Sequence, residues 1–328
     1  MKKILVTGGA GYIGAHTVHY LVSKGVQPSD IFVFDNLVYG HKDYLPTGVH
    51  FIQGDLLRKD EINAVFSENN IGCVIHFAAY AYVGESMENP GKYFENNILA
   101  GLNLLEAMLK GNCNQIVFSS TCATYGIPDV SPISEATPQK PINPYGESKL
   151  MFEKILEWYS KIHDIKSVRL RYFNACGAGF GIGELHDPET HLIPLVLQTG
   201  KGIRENVSEF GSDYETKDGT CIRDYIHVLD LADAHYKAMD LLDTEDFRTD
   251  YFNLGTGIGV SVREIIATSK KITGMDFTVL EMGRRAGDPA ELVASPEKAH
   301  ERLQWRAQYD IDFIIKSAWE WENRLVGE

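Results

Sequence analysis

Residues 3–25 read KILVTGGAGYIGAHTVHYLVSKG, and few backbone paths accommodate that order of residue types. A short β-branched apolar run ends in glycines, and apolar residues then recur at 13, 18, 21 and 22 with helical spacing. The order predicts a strand, a tight turn and a helix. Gly8, Gly11 and Gly14 are evenly spaced, and Gly9, Gly11 and Gly14 also satisfy G-x-G-x-x-G. Glycines there permit the turn, let the backbone approach a pyrophosphate and let the helix pack near the strand, while the helix N-terminus favours an anion.

The alternation continues. DIFVFDN, HFIQGD, GCVIHFAA, QIVFSS and KSVRLRYFN read as strands. EINAVFSEN, the stretch YFENNILAGLNLLEAMLK and a segment from about Tyr145 to His163 read as helices. Such a rhythm predicts an α/β fold, a Rossmann-type doubly wound parallel sheet covered on both faces. Asp35 ends the second strand, where an acidic side chain accepts hydrogen bonds from an adenosine ribose and repels a 2′-phosphate. No Arg accompanies it in FDNLVYG, so NAD is favoured over NADP. Asp55, after the next strand, suits either an adenine contact or a surface turn.

Past Asn174 the rhythm changes at the glycine-rich, polar ACGAGFGIGELHDPETH. We expect an NAD-binding domain over 1–175 and a smaller mixed α/β domain over 176–328, with some segments able to return to the first. Within the second part, DYIHVLDLADAHYKAMDLL and VREIIATSKKI read as helices and DYFNLG as a strand.

Composition narrows the function. With 328 residues, 44% of them apolar, the chain can bury a sizeable core, and a net charge of −14 argues against a nucleic-acid partner. The five cysteines are scattered without a C-x-x-C pair, suggesting neither a zinc site nor a disulfide framework but a reducing compartment. No segment approaches the roughly 18 apolar residues of a membrane span. The expectation is a soluble cytoplasmic protein with no membrane partner.

NPYGESK sets Tyr145 and Lys149 four positions apart, on one face of a helix that opens just after a proline. A Tyr and a Lys fall at that spacing by chance in many helices, so the pair alone decides nothing. In the context of the dinucleotide fold and of FSSTCATYG, the chain resembles the extended short-chain dehydrogenase/reductase superfamily. The resemblance implies catalytic roles for Thr121, Tyr145 and Lys149. A Tyr has a reference pKa near 10, and a neighbouring ammonium and the positive nicotinamide ring lower it by roughly 1 to 3 or more. Tyr145 would take a proton from a sugar hydroxyl as hydride leaves the same carbon, Thr121 would bridge the two oxygens, and Lys149 would hold the ribose. It further implies that NAD is bound by Gly8, Gly11, Tyr12, Ile13, Gly14, Asp35, Asn36, Asp55, Leu56, Phe77, Ala78, Ala79, Asn97, Ser119 and Tyr172, with Tyr145 and Lys149.

Sugar-nucleotide dehydratases of this superfamily follow the active Thr with an Asp-Glu pair, and uronate decarboxylases keep a Glu at the second following position. Here those positions hold Cys122 and Ala123. The whole chain resembles the UDP-glucose 4-epimerase family through VTGGAGYIGAHT, VIHFAAYAYVGES, FSSTCATYG, PYGESKLMFEKIL, LRYFNACGA, DGTCIRDYIHVLDLADAH, YFNLGTG and RRAGDPAELVAS. That family moves hydride from C4 of the hexose to tightly held NAD and returns it to the other face. The resemblance places Asn174, His191, Leu192, Ser208, Phe210, Arg223, Arg285, Asp288 and Leu292 on the UDP-sugar, beside Thr121 and Tyr145, with the two arginines on the diphosphate.

Departures are visible too. Ala81 stands where many members have Lys, and THL at 190–192 replaces a frequent NNL. Leu292 replaces a Tyr that closes the sugar pocket in some members, leaving room for a 2-N-acetyl group. The family forms homodimers through a four-helix bundle that includes the Tyr145 helix, whose apolar residues 150, 151, 152, 155 and 156 make one side sticky. Two other readings stay open: an epimerase of another UDP-sugar, a uronate or a pentose, and a catalytically silent NAD-binding sensor.

Overall fold

A computed structural model of the protein describes residues 2–285 and 287–325. Strand β1 (Lys3–Thr7) leads into helix α1 (Tyr12–Ser23), followed by β2 (Ile31–Asp35), β3 (His50–Gln53), α2 (Lys59–Glu68) and β4 (Ile71–His76). Two short helices, α3 (Val83–Glu88) and α4 (Pro90–Phe94), run through one π-type turn at Glu95–Leu99 into α5 (Ala100–Lys110). Then come β5 (Gln115–Thr121), α6 (Pro144–His163) and β6 (Lys166–Tyr172). These six strands and a later one, β10 (Thr249–Leu254), form one parallel sheet in the order β3-β2-β1-β4-β5-β6-β10. The order reverses between β1 and β4, so a crevice opens past their carboxyl ends, the place where such sheets bind ligands.

Alternation along each strand builds two cores. Ile4, Val6, Ile31, Val33, Cys73, Ile75, Val117, Val168 and Leu170 face the side covered by α1 and by a later helix, α8 (Val228–Leu242). Leu5, Phe32, Phe34, Val74, Ile116 and Phe118 face the side covered by α2, α5 and α6, against Leu104, Leu105, Phe152 and Leu156. Each fully buried Leu or Phe is worth about 1.5–3 kcal/mol, so the sheet and its covers carry much of the stability. In β6 the second face breaks the rule, because Arg169 and Arg171 turn towards α6 where a core would place apolar groups.

The remaining chain runs through β7 (Asn174–Cys176), α7 (Leu192–Gly200), β8 (Asn206–Phe210), β9 (Ile222–His227) and α8 (Val228–Leu242). It then re-enters the large sheet as β10 (Thr249–Leu254), paired in parallel with β6. After it follow β11 (Gly259–Ser261), α9 (Val262–Thr273), β12 (Thr278–Met282), β13 (Glu291–Leu292), α10 (Glu297–Arg302) and α11 (Ile311–Arg324). β7, β11 and β13 all pair with β9, and β8 pairs with β12. α7, α9 and α11 close over this side through Ile193, Leu197, Ile265, Ile314 and Ile315. Among the described residues, no helix is long and apolar enough to cross a membrane.

One expected helix is shorter than its pattern. Helical spacing extends back through DYIH, yet Asp224–His227 belong to β9 and α8 begins at Val228. Tyr225 and Ile226 are buried, and a short, densely buried apolar run reads alike as strand or helix. His227 marks the true boundary, its Nδ1 accepting the Leu229 N–H at 3.1 Å as a helix cap.

Candidate active site

The glycine turn is shaped to admit a ligand backbone-close. Gly8 has φ +70, and a Cβ there would lie 2.5 Å from the Ala78 nitrogen. A Cβ on Gly14 would collide with the Gly8 carbonyl oxygen. Phe77 and Ala78, just beyond β4, donate their N–H groups to the Thr7 carbonyl at 2.9 and 3.1 Å, which seats the two strand ends side by side. Asp35 is buried with one carboxylate oxygen on the Ala10 N–H at 3.0 Å and the other on the Leu37 N–H at 2.8 Å. Each oxygen keeps a further acceptor position, as ribose hydroxyls require. Asn36 accepts the Val38 N–H and Asp55 accepts the Leu57 N–H, so both carboxamide and carboxylate order their own turns. A cleft of about 290 Å³ opens beside Asp55, Tyr80, Lys92 and Asn96. Ile13 is half-buried, while the Leu56 side chain lies in the core, leaving only its backbone towards the crevice.

Asn97, in the π-type turn, ties the crevice to the helix that carries Tyr145. Its carboxamide bonds both backbone groups of Tyr80 at 2.9 and 3.1 Å, next to Ala79, and donates to Ser148 at 3.0 Å. π-type turns inside helices concentrate at functional sites. Asn143 caps α6 by accepting the Gly146 N–H at 2.8 Å, and Pro144 occupies the first helical position. Tyr145 and Lys149 therefore leave a fixed first turn on the same face. Thr121 ends β5 beside them, with its hydroxyl near enough to Tyr145 to favour the phenolate. Lys149 donates to the Ser119 carbonyl at 2.8 Å, and Tyr172, on the next strand, stands level with Thr121.

On the far wall, Arg223 of β9 pairs with Asp288 at 3.0 Å, and Leu292 of β13 stands level with Arg223 across the strand pair. Leu292 and Cys122, the residue after Thr121, both pack against the small buried cluster of Tyr125, Ile133, Phe173 and Ala294. Asn174 donates to the Asp224 carbonyl at 3.1 Å. The Arg285 guanidinium sits over the Phe210 ring at 3.9 Å, and Ser208 lies two residues earlier on β8. Tyr12 bridges the two sides by donating to the Gly177 carbonyl at 2.6 Å. His191 precedes α7 with its Nδ1 at 2.7 Å from Glu184 and 2.9 Å from Glu189, and Leu192 packs inward.

Residues 4–255 match the NAD dependent epimerase/dehydratase family. The chain belongs to that family. It is 50% identical to the UDP-glucose 4-epimerase of Streptococcus mutans serotype c, over 98% of this chain and 96% of that one. The crystal structure of the Brucella ovis UDP-glucose 4-epimerase in complex with NAD is 44% identical, with a TM-score of 0.93 over 98% of both chains. The UDP-Glc/GlcNAc 4-epimerase of Campylobacter jejuni is 41% identical, with a TM-score of 0.86 over 99% of this chain and 100% of that one. The glycine turn and the bracketed Asp35 lie within the matched residues of this NAD dependent epimerase/dehydratase.

The electrostatics of this family member depart from the sequence expectation in one respect. Burial pushes Tyr145 up to about 12, against the Thr121 hydrogen bond that lowers it. The expected lowering by Lys149 is not what sets the phenol in the protein alone. Burial instead brings Lys149 down to about 7, opposed by the Glu153 carboxylate one turn further along α6.

Glu153 is the residue that sequence reasoning missed. It is 2% exposed and takes hydrogen bonds from Arg171 at 2.9 and 2.5 Å and from Ser120 at 2.5 Å. Arg171 continues to the Tyr125 hydroxyl at 2.8 Å, and Tyr125 donates to Asn253 of β10 at 2.7 Å. Burial alone would raise the Glu153 carboxyl, yet Arg171 holds it below its usual value. The available signal is the Tyr145, Lys149, Glu153 repeat at intervals of four.

Proposed function

We propose that this chain interconverts UDP-galactose and UDP-glucose as an NAD-dependent UDP-glucose 4-epimerase. The observation that carries the reading is the convergence of Thr121, Tyr145 and Lys149 at the crevice formed by the glycine turn, opposite the wall that holds Arg223 and Leu292. Near-full-length likeness to curated enzymes of that activity supports it. NAD, when bound, supplies the acceptor and donor of hydride at C4. Gly8, Gly11 and Gly14 would leave space for its pyrophosphate near Tyr12 and Ile13, and Asp35 with Asn36 would take the adenosine ribose. Asp55 and Leu56 would meet the adenine, and Phe77, Ala78, Ala79, Asn97, Ser119 and Tyr172 would line the passage to the nicotinamide end.

Tyr145 would accept the 4-hydroxyl proton through or beside the Thr121 hydroxyl and return it once the 4-keto sugar has turned over. Lys149 spends one donor on the Ser119 carbonyl and has two left for ribose hydroxyls. A cation there stabilises the phenolate form of Tyr145 once burial has brought both groups out of water. Arg223 and Arg285 would neutralise the diphosphate, with Asp288 fixing the first of them, while Phe210 and Ser208 would meet the uracil side. Asn174, His191 and Leu192 would complete the sugar-nucleotide wall. The silent-sensor reading is not favoured, because sensing needs no such triad.

A second substrate class follows from Leu292. Its half-buried side chain packs on the same small cluster as Cys122, the residue after Thr121, where a larger ring would fill space. UDP-GlcNAc and UDP-GalNAc are therefore included in the proposal, supported by likeness to the UDP-Glc/GlcNAc 4-epimerase of Campylobacter jejuni. A homodimer through α6 is included as well. Leu150, Phe152 and Leu156 turn into the chain's own core, but Met151, Trp158 and Ile162 remain exposed on α6, with Leu99 nearby in sequence to α5. The five cysteines are all unpaired, in keeping with the reducing cytoplasm.

The deciding experiment incubates the purified protein with UDP-galactose, without added cofactor, and follows UDP-glucose. Conversion supports the reaction and a retained NAD. No conversion even with NAD supplied would overturn it.

A further inference from the structure

Between β7 and α7, the sequence ELHDPETH gathers four groups, of which only His191 has a place above, on the sugar-nucleotide wall. The ligand atoms of Glu184, His186, Glu189 and His191 all lie within 4.8 Å of one another. Glu184 Oε1 is 3.0 Å from His186 Nδ1 and 2.7 Å from His191 Nδ1, and Glu189 Oε1 is 2.9 Å from His191 Nδ1. The two glutamate side chains are only 7% and 5% exposed. Among the described residues, neither forms a salt bridge with a Lys or Arg. Two carboxylates are thus withdrawn from water with imidazoles as their partners, and burying an uncompensated carboxylate is strongly unfavourable.

We infer that Glu184, His186, Glu189 and His191 bind one divalent transition-metal ion of the zinc or cobalt type. A tetrahedral ion with bonds of about 2.0–2.2 Å sets its ligand atoms roughly 3.3–3.6 Å apart, between the 2.7 Å of the nearest pair here and the 4.8 Å that bounds the cluster. One dication neutralises both carboxylates and leaves both imidazoles neutral. Two nitrogens and two oxygens suit zinc, cobalt or nickel, whereas calcium and magnesium favour oxygen shells of six or more. Four protein ligands fill a tetrahedron, so the ion is structural rather than catalytic.

Its place in the fold gives it something to hold. The His186 ring meets the rings of Tyr12 and Tyr82 at 6.4 and 5.8 Å, and the Trp321 indole donates to the Glu184 carbonyl at 2.9 Å. The ion would fasten the segment leading into α7 against the start of α1, before α3, and against α11.

The test uses full-length protein stripped with a chelator, then titrated with cobalt chloride alone while visible absorption is recorded. We expect one cobalt per chain with tetrahedral d–d bands, displaced by zinc. His186→Ala and Glu184→Gln should each weaken binding by roughly 10- to 100-fold or more. X-ray absorption of the zinc-loaded wild type reads the ligands independently of any variant and should show two imidazoles and no sulfur. Absence of tetrahedral cobalt bands, unchanged binding in a folded variant, or sulfur ligation would each overturn the assignment.

Discussion

The Glu153 carboxylate accepts two hydrogen bonds from the Arg171 guanidinium, at 2.9 and 2.5 Å, one helical turn past Lys149. The pair lies between α6 and β6 in a place that alternation along β6 would otherwise give to apolar residues. Its members also reach Ser120 on β5 and, through Tyr125, Asn253 on β10. Three strands and the helix of Tyr145 are therefore fixed by one charged contact.

Glu153→Ala leaves the Arg171 charge buried without its partner. Breaking a buried pair in this way destabilises by about 3–5 kcal/mol, and urea unfolding should show a loss of that size. Glu153→Gln, which keeps the shape, should lose less. Near-neutral results for both would mean that the contact does not order the helix.

Tyr145→Phe keeps the ring and removes the hydroxyl. With the fold retained by circular dichroism, turnover of UDP-galactose should fall by about 10²- to 10⁴-fold, the share usual for a positioned acid or base. Turnover within a few-fold of the parent would transfer the proton to another group.

Gly14→Ala places a methyl group against the Gly8 carbonyl, at the point where helix and turn touch. The purified variant should carry far less NAD than the parent, read by releasing and assaying the nucleotide from the denatured protein. Equal NAD content would show that the turn tolerates the shift.

Leu292→Tyr should lower kcat/KM for UDP-GlcNAc well over tenfold while sparing UDP-glucose, since steric exclusion acts on the larger substrate. Parallel losses on both sugars would place Leu292 in general packing and not in selection.

Burial brings His16 and His235 down to about 4 and His76 and His227 down to about 3. The unfolded chain, with His near 6.5, binds more protons across that window, so stability is complete above about 6.5 and declines as the pH falls. Each histidine contributes roughly 1.4 kcal/mol per pH unit there. The urea midpoint should therefore drop steeply from pH 6.5 to 5, and a flat midpoint would contradict their neutral burial.

The sheet, the glycine turn, Asp35 and the Tyr145 helix are legible in the sequence because each rests on local pattern. KILVTGG and NPYGESK state their own geometry through glycine spacing, a cap and a proline. The Glu153–Arg171 pair is not legible, since it joins residues 18 apart whose meeting depends on the packing of α6 over β6. DYIH misleads because burial on both sides erases the difference between strand and helix periods. β8 and β12 pair with only each other, and β12 is largely exposed, so they carry little apolar signal. ELHDPETH reads as a polar loop because spacing alone does not tell which of its side chains are withdrawn from water.

The return of the chain to β10 has a bearing on synthesis. β6 is complete at Tyr172, yet the strand that covers its outer edge ends at Leu254. A ribosome must therefore add the intervening residues while that edge, and the apolar face awaiting α8, remain open to other nascent chains. Premature termination anywhere in this interval would release a sheet with an exposed, adhesive border. Cells that make this protein in quantity would need chaperones to attend that interval, and splitting the gene after β6 would fix the hazard permanently in the first fragment.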